Sequence, residues 1–131
     1  MIKVIHVEDD DDIRELVGLS LEISGEFEVL SCASGSEALS AVEAFKPDVL
    51  LLDVMMPNMN GLETLDNIRS LEGYSKIPAL FVTARAGVGE NKELFEAGAL
   101  DVIVKPFEVA TLAKLNRPGF TGGQNFRRIA H

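Results

Sequence analysis

The chain has 131 residues, 47% of them hydrophobic and 25% charged, which is the size and composition of a single folded domain and excludes a disordered or fibrous segment. A net charge of −9 opposes a phosphate backbone, so direct nucleic-acid binding is not expected, and the lone Cys32 leaves no internal disulfide and no zinc cluster. One unpaired cysteine suits a reducing cytoplasm. No apolar run approaches the roughly 18 residues that span a bilayer, and Met1 to Val7 leads into acids instead of a signal-peptide cleavage site, so neither a membrane nor a secreted protein is expected.

Charge is unevenly distributed. All 21 acidic residues lie within residues 1–108, together with eight of the 12 basic ones, giving −13 there. Lys114, Arg117, Arg127 and Arg128 give +4 to the remainder, so the end of the chain is compositionally distinct.

In chain order, residues 2–7 form a β-branched run that reads as a strand, and Ile13, Leu16, Val17 and Leu21 follow at helical spacing. Residues 27–32 alternate as a second strand. Ser34 and Glu37 have the spacing of a capping box ahead of a helix carrying Ala38, Leu39, Val42 and Phe45. After Pro47, residues 48–53 are aliphatic between two aspartates, the pattern of a strand buried on both faces. Asn60 and Glu63 predict a second capping box, with Leu62, Leu65 and Ile68 as the helix stripe. Residues 78–83 read as a fourth strand, residues 88–97 as a helix stopped by Gly98 at C′, and residues 101–105 as a short fifth strand closed by Pro106. A fifth helix starting near Glu108 carries Val109, Leu112 and Leu115 before Pro118 and Gly119 cut it short. The expected organisation is one domain over residues 1–116 and a basic tail over residues 117–131.

Five strands alternating with helices through short connections predict βαβ units, hence a doubly wound α/β domain with a five-stranded parallel sheet and helices on both faces. Parallel strands end along one edge, where such folds bind ligands. The residues at those ends are Glu8 and Asp9, Asp53, Thr83 and Lys105. Carboxylates gathered there repel one another at about 4 kcal/mol for a pair about 4 Å apart in an effective dielectric near 20, so a cation belongs among them. Hard oxygen donors without Cys or His suit Mg²⁺ together with a phosphoryl group. Asp53 is then placed to take a phosphoryl group, with Lys105 neutralising its oxygens and Thr83 donating a hydrogen bond.

These residues carry a resemblance. Glu8-Asp9-Asp10, Asp53 through Gly61, Thr83-Ala84, Gly98-Ala99 and Lys105-Pro106-Phe107 match, in order and spacing, the motifs of receiver domains of two-component response regulators, over residues 1 to about 110. The resemblance implies the flavodoxin-like strand order 2-1-3-4-5, which periodicity alone does not supply. It implies that Asp53 accepts a phosphoryl group from a sensor histidine kinase or histidine phosphotransfer protein. It implies too that Asp9 binds Mg²⁺ directly, Glu8 through water, and Met55 through its backbone carbonyl. Thr83 and Lys105 are implied to hold the phosphoryl oxygens, the Lys105–Pro106 bond to be cis, and Met55 and Arg85 to tune the lifetime of the aspartyl phosphate. In this family the activity is a switch that promotes its own phosphorylation and dephosphorylation and acts on a downstream protein, here unidentified. Val102 stands where the family often has Tyr or Phe, so the aromatic half of the family's switch is missing.

Simpler readings apply to some residues. Asp10, Asp11 and Asp12 read as the acidic start of a helix, His6 as a core histidine, and Met55, Met56 and Met59 as gap-fillers without a cofactor role. The tail reads as solvated. Two other functions compete: a constitutive protein-binding pseudo-receiver, and a phosphatase of the haloacid-dehalogenase type. The latter resembles Asp-x-Asp at its nucleophile, whereas this chain has Asp53-Val54-Met55.

Overall fold

The computed structural model describes residues 1–83, 92–99 and 101–104. The apolar runs become strands β1 (Ile2–Val7), β2 (Phe27–Cys32), β3 (Val49–Asp53), β4 (Ala79–Thr83) and β5 (Asp101–Val104). Between them lie helices α1 (Asp11–Ile23), α2 (Gly35–Phe45), α3 (Gly61–Arg69) and α4 (Lys92–Glu96). All strand pairs are parallel and the order is β2-β1-β3-β4-β5, as the resemblance implies. The expected fifth helix, the tail, Arg85 and the Lys105–Pro106 bond lie outside the described residues.

Side chains alternate across a strand, so each central strand feeds two apolar layers. Ile5, Val7, Leu50, Leu52, Ala79 and Phe81 face one layer with Ala38 and Val42 of α2, Leu65 and Ile68 of α3, and Leu94 of α4. Val4, Val49, Leu51, Leu80 and Val82 face the other, with Val17 and Leu21 of α1. Every residue of β3 and β4 is buried, which is why their sequences show no polar alternation.

The helix starts follow their capping chemistry. Asp10 accepts hydrogen bonds from the Asp12 and Ile13 amides at α1. Asn60 and Glu63 close a reciprocal capping box at α3. At α2, Ser34 accepts from the Glu37 amide, but the Glu37 carboxylate reaches the Ala33 amide, one residue earlier than the expected box. Lys46, with φ 56°, ends α2 in the left-handed region just before Pro47. Two strands start one residue later than expected. Pro78 brings no N–H to β4, and Asp48 instead brackets the start of β1, its amide donating to the Lys3 carbonyl and its carboxylate accepting from the Lys3 amide.

Leu16 departs from the sequence reading. The buried stripe of α1 runs through Val17 and Leu21, with Ile13 packed against it, while Gly18 lets the helix approach β2 so closely that a Cβ there would lie 2.9 Å from the Ser31 hydroxyl. That rotation turns Leu16 (62% exposed), Leu19 and Ile23 outward as an apolar stripe. Truncating Ile68 to Ala is expected to destabilise the domain by about 2–5 kcal/mol, and truncating Leu16 to change stability by less than about 0.5 kcal/mol, as read from urea unfolding.

Candidate functional site

β1, β3 and β4 lie side by side, and their registers pair Val7 with Leu52 and Asp53 with Val82. Glu8 and Asp9 leave β1 at the edge where Asp53 closes β3 and Thr83 closes β4. The exit of β1 is anchored by the Glu8 amide donating to the Cys32 carbonyl at 3.1 Å. Glu8, Asp53 and Thr83 are 2%, 5% and 2% exposed, so three polar groups are withdrawn from water at the end of an aliphatic sheet, whereas Asp9 is exposed.

The acidic run divides as expected. Asp10 caps α1, and Asp11 pairs with Arg14 at 2.6 Å, an interaction that raises the arginine's pKa. Arg14 also donates to the Glu8 carbonyl at 2.9 Å, and the Glu8 carboxylate accepts from the Asp10 amide at 3.2 Å. Glu8 and Asp9 instead join Asp53. One carboxylate oxygen from each lies within 4.8 Å of the others. At that separation a pair of ionised carboxylates repels by about 3 kcal/mol in an effective dielectric near 20, and a divalent cation reverses the sign of that energy. The donor set is entirely carboxylate oxygen and two of the three groups are buried, with no nitrogen or sulfur ligand joining them among the described residues, so these residues fit Mg²⁺.

The loop from β3 to α3 is folded back on the site. The Val54 amide donates to the Val82 carbonyl at 3.0 Å, and the Gly61 amide to the Val54 carbonyl at 3.1 Å. Asn58 adopts φ 66°, a left-handed conformation that asparagine tolerates. Gly61 packs directly on the Asp53 backbone: a Cβ there would lie 2.5 Å from the Asp53 carbonyl oxygen. Met55, 64% exposed, lies in this loop. The structure thus gathers Glu8, Asp9 and Asp53, and ends the neighbouring strand with Thr83. Lys105 lies outside the described residues, directly after the last residue of β5.

His6 is buried within β1 and engaged by its surroundings, in keeping with a core histidine. Cys32 is a free, buried thiol whose pKa burial pushes up to about 11, with Glu37 adding to the rise, so it is protonated and inert near neutrality. Two arginines escaped the sequence reading. Arg14 and Arg69 both act on backbone carbonyls, and no residue spacing announces such partners.

The family model described as response regulator receiver domain matches residues 4–117. The chain belongs to this family. Among curated proteins, the receiver is 40% identical to the transcriptional regulatory protein CseB of Streptomyces avermitilis over 129 residues, which is 95% of this chain and 53% of that protein. It is 35% identical to the transcriptional regulatory protein PrrA of Mycobacterium tuberculosis, covering 97% of this chain and 55% of the relative. The receiver therefore spans about half the length of the curated relatives it matches. Among solved structures it is similar to the chemotaxis response regulator CheY4 of Vibrio cholerae, with a TM-score of 0.80 and 32% identity over 98% of both chains. It is also similar to the receiver domain of sensor histidine kinase PA1611 from Pseudomonas aeruginosa, solved with a magnesium ion coordinated in the active site cleft. That match has a TM-score of 0.77 and 25% identity, and covers 98% of this chain and 97% of that one.

Gly61→Ala forces a methyl group against the Asp53 carbonyl and is expected to cost about 1–3 kcal/mol of stability in urea unfolding, the penalty of an overpacked site.

Proposed function

We propose that this receiver domain is a phosphorylation-controlled switch in which Asp53 is the phosphoryl acceptor. The observation that carries the reading is the carboxylate of Asp53, set at the end of a fully buried aliphatic strand with an oxygen within 4.8 Å of those of Glu8 and Asp9. The donor is a phosphohistidine on a sensor histidine kinase or a histidine phosphotransfer protein. An Asp53 carboxylate oxygen attacks phosphorus, the P–N bond breaks, and the bonding pair leaves with the imidazole; attack by water on the aspartyl phosphate later restores the carboxylate.

Glu8, Asp9 and Asp53 hold Mg²⁺, together with the backbone carbonyl of Met55. When bound, the ion offsets the negative charge of the carboxylates and of the incoming phosphoryl oxygens. The Thr83 hydroxyl donates to one phosphoryl oxygen and the Lys105 ammonium pairs with another, each compensating charge that grows during transfer. Burial of Asp53 and Thr83 withholds bulk water, which strengthens both interactions. Thr83 reports the modification because it closes the strand next to Asp53 and leads directly into the segment before α4. With valine at position 102, the response runs through Thr83 and the residues that follow it.

The downstream partner is a protein. Residues 1–108 carry −13, which disfavours contact with a nucleic-acid backbone, and the chain corresponds to about half the length of relatives that are transcriptional regulatory proteins. No described helix is long and apolar enough to cross a membrane, and the switch operates in the cytoplasm, where the kinase's phosphohistidine is presented. A phosphatase of the haloacid-dehalogenase type is disfavoured by Met55, which supplies no general acid two residues after Asp53.

Incubation with acetyl phosphate or phosphoramidate and Mg²⁺ is expected to add one phosphoryl group by intact-mass spectrometry, with none added in Asp53→Asn or in EDTA. An unmodified wild type would leave only a constitutive binding module, and sustained phosphate release from phosphomonoesters would favour the phosphatase. Mg²⁺ at a hundred times its dissociation constant is expected to stabilise the fold by about 2.7 kcal/mol, and Asp9→Asn to weaken that binding by about tenfold or more, as read from Mg²⁺-dependent thermal unfolding.

A further inference from the structure

Arg69, the last residue of α3, lies at the edge of the sheet opposite the acidic site. Its Nη1 donates to the Ala97 carbonyl at 2.8 Å, and its Nη2 to the Ile77 carbonyl at 3.0 Å and, more weakly, to that of Gly98 at 3.4 Å. Ile77 leads into β4, and Ala97 and Gly98 lead from α4 into β5. One guanidinium thus ties together the starts of two neighbouring strands. The turn is shaped for it: Gly98 has φ 90°, the Ala99 amide donates to the Leu94 carbonyl at 3.1 Å, and a Cβ on Gly98 would lie 3.0 Å from Nη1. The helix end therefore satisfies one carbonyl internally and offers others to the arginine.

Parallel neighbours have no hairpin to set their register; whatever fixes their starts fixes their ends. β4 and β5 pair Leu80 with Asp101 and Thr83 with Val104, and Lys105 is the next residue in the chain. A slip of one residue moves a strand end by about 3.3 Å and turns each side chain to the opposite face. We propose that Arg69 is a positioning residue for phosphoryl transfer, setting β5 against β4 so that the strand ends at Thr83 and Val104 are level at the site. Glu8, Asp9 and Asp53 belong to β1 and β3, so Arg69 acts on the phosphoryl-holding side of the site and not on the cation-holding side. Planarity matters, because separate nitrogens of one rigid fork serve separate strands, and a lysine ammonium at the same place is a single point donor.

The inference rests on the proposed phosphoryl transfer, and Arg69→Gln and Arg69→Lys variants of the 131-residue chain test it. Both are expected to bind Mg²⁺ within about twofold of wild type by NMR titration, yet to be phosphorylated by phosphoramidate at saturating Mg²⁺ about tenfold or more slowly, in line with the cost of small misplacements in transfer geometry. Hydrogen exchange is expected to show lost protection in the β4–β5 pairs and retained protection in the β1–β3 pairs. A folded variant phosphorylated within twofold of wild type, Mg²⁺ affinity falling by the same factor as the rate, or unchanged β4–β5 protection overturns the proposal. Should Arg69→Gln fail to fold, Arg69→Lys, which keeps the charge, carries the comparison. If the wild type itself takes no phosphoryl group, the proposed function fails, and the exchange measurement still decides whether Arg69 sets the register.

Discussion

A strand buried on both faces cannot slide. In β3 every side chain from Val49 to Asp53 is enclosed, by the α2 and α3 layer on one side and the α1 layer on the other, and its backbone is paired to β1 and β4. Shifting it by one position would turn each aliphatic side chain toward the wrong layer and draw Asp53 into the core or away from its neighbours. That constraint gives a carboxylate a fixed place at the edge of the sheet, and the same constraint on β4 gives Thr83 its place.

The site sets function against stability. Three carboxylates within 4.8 Å repel, and burial of Glu8 and Asp53 sharpens the repulsion by removing water. The surroundings offset part of this cost with backbone bonds: Arg14 holds the Glu8 carbonyl, Cys32 accepts from the Glu8 amide, and Gly61 seals the loop behind Asp53. Carboxylates strained in this way suit a divalent cation, whose positive charge would remove an unfavourable energy already present.

The two edges of the sheet have different duties. Chemistry gathers at the carboxyl edge, where strands end in polar groups, while the amino edge is governed by what holds the strand starts, and there Arg69 serves Ile77, Ala97 and Gly98. Parallel strands connect these edges rigidly, so a side chain at the amino edge bears on where β5 ends beside Thr83.

Much of this was legible in the chain because its causes are local. Strand runs, the caps at Asp10, Ser34 and Asn60, and the stop at Gly98 depend on residues within a few positions of one another, and the isolated charge of Asp53 after four aliphatic residues marks it without any partner in view. The division of the acidic run into helix start and site residues was legible too, since helix geometry assigns Asp10, Asp11 and Asp12 and leaves Glu8 and Asp9 over. Other features were not. The outward turn of Leu16 depends on Gly18 meeting Ser31 of another strand, and the carbonyl partners of Arg69 lie up to 29 positions away. The amino-acid order by itself determined which segments are strands and helices and which residues end them, because those preferences are set by neighbours along the backbone. Only the folded sheet decided which ends meet, which helix faces stay exposed and what the arginines hold, because a backbone carbonyl is present at every residue and nothing in a sequence singles out the one that a distant side chain will reach.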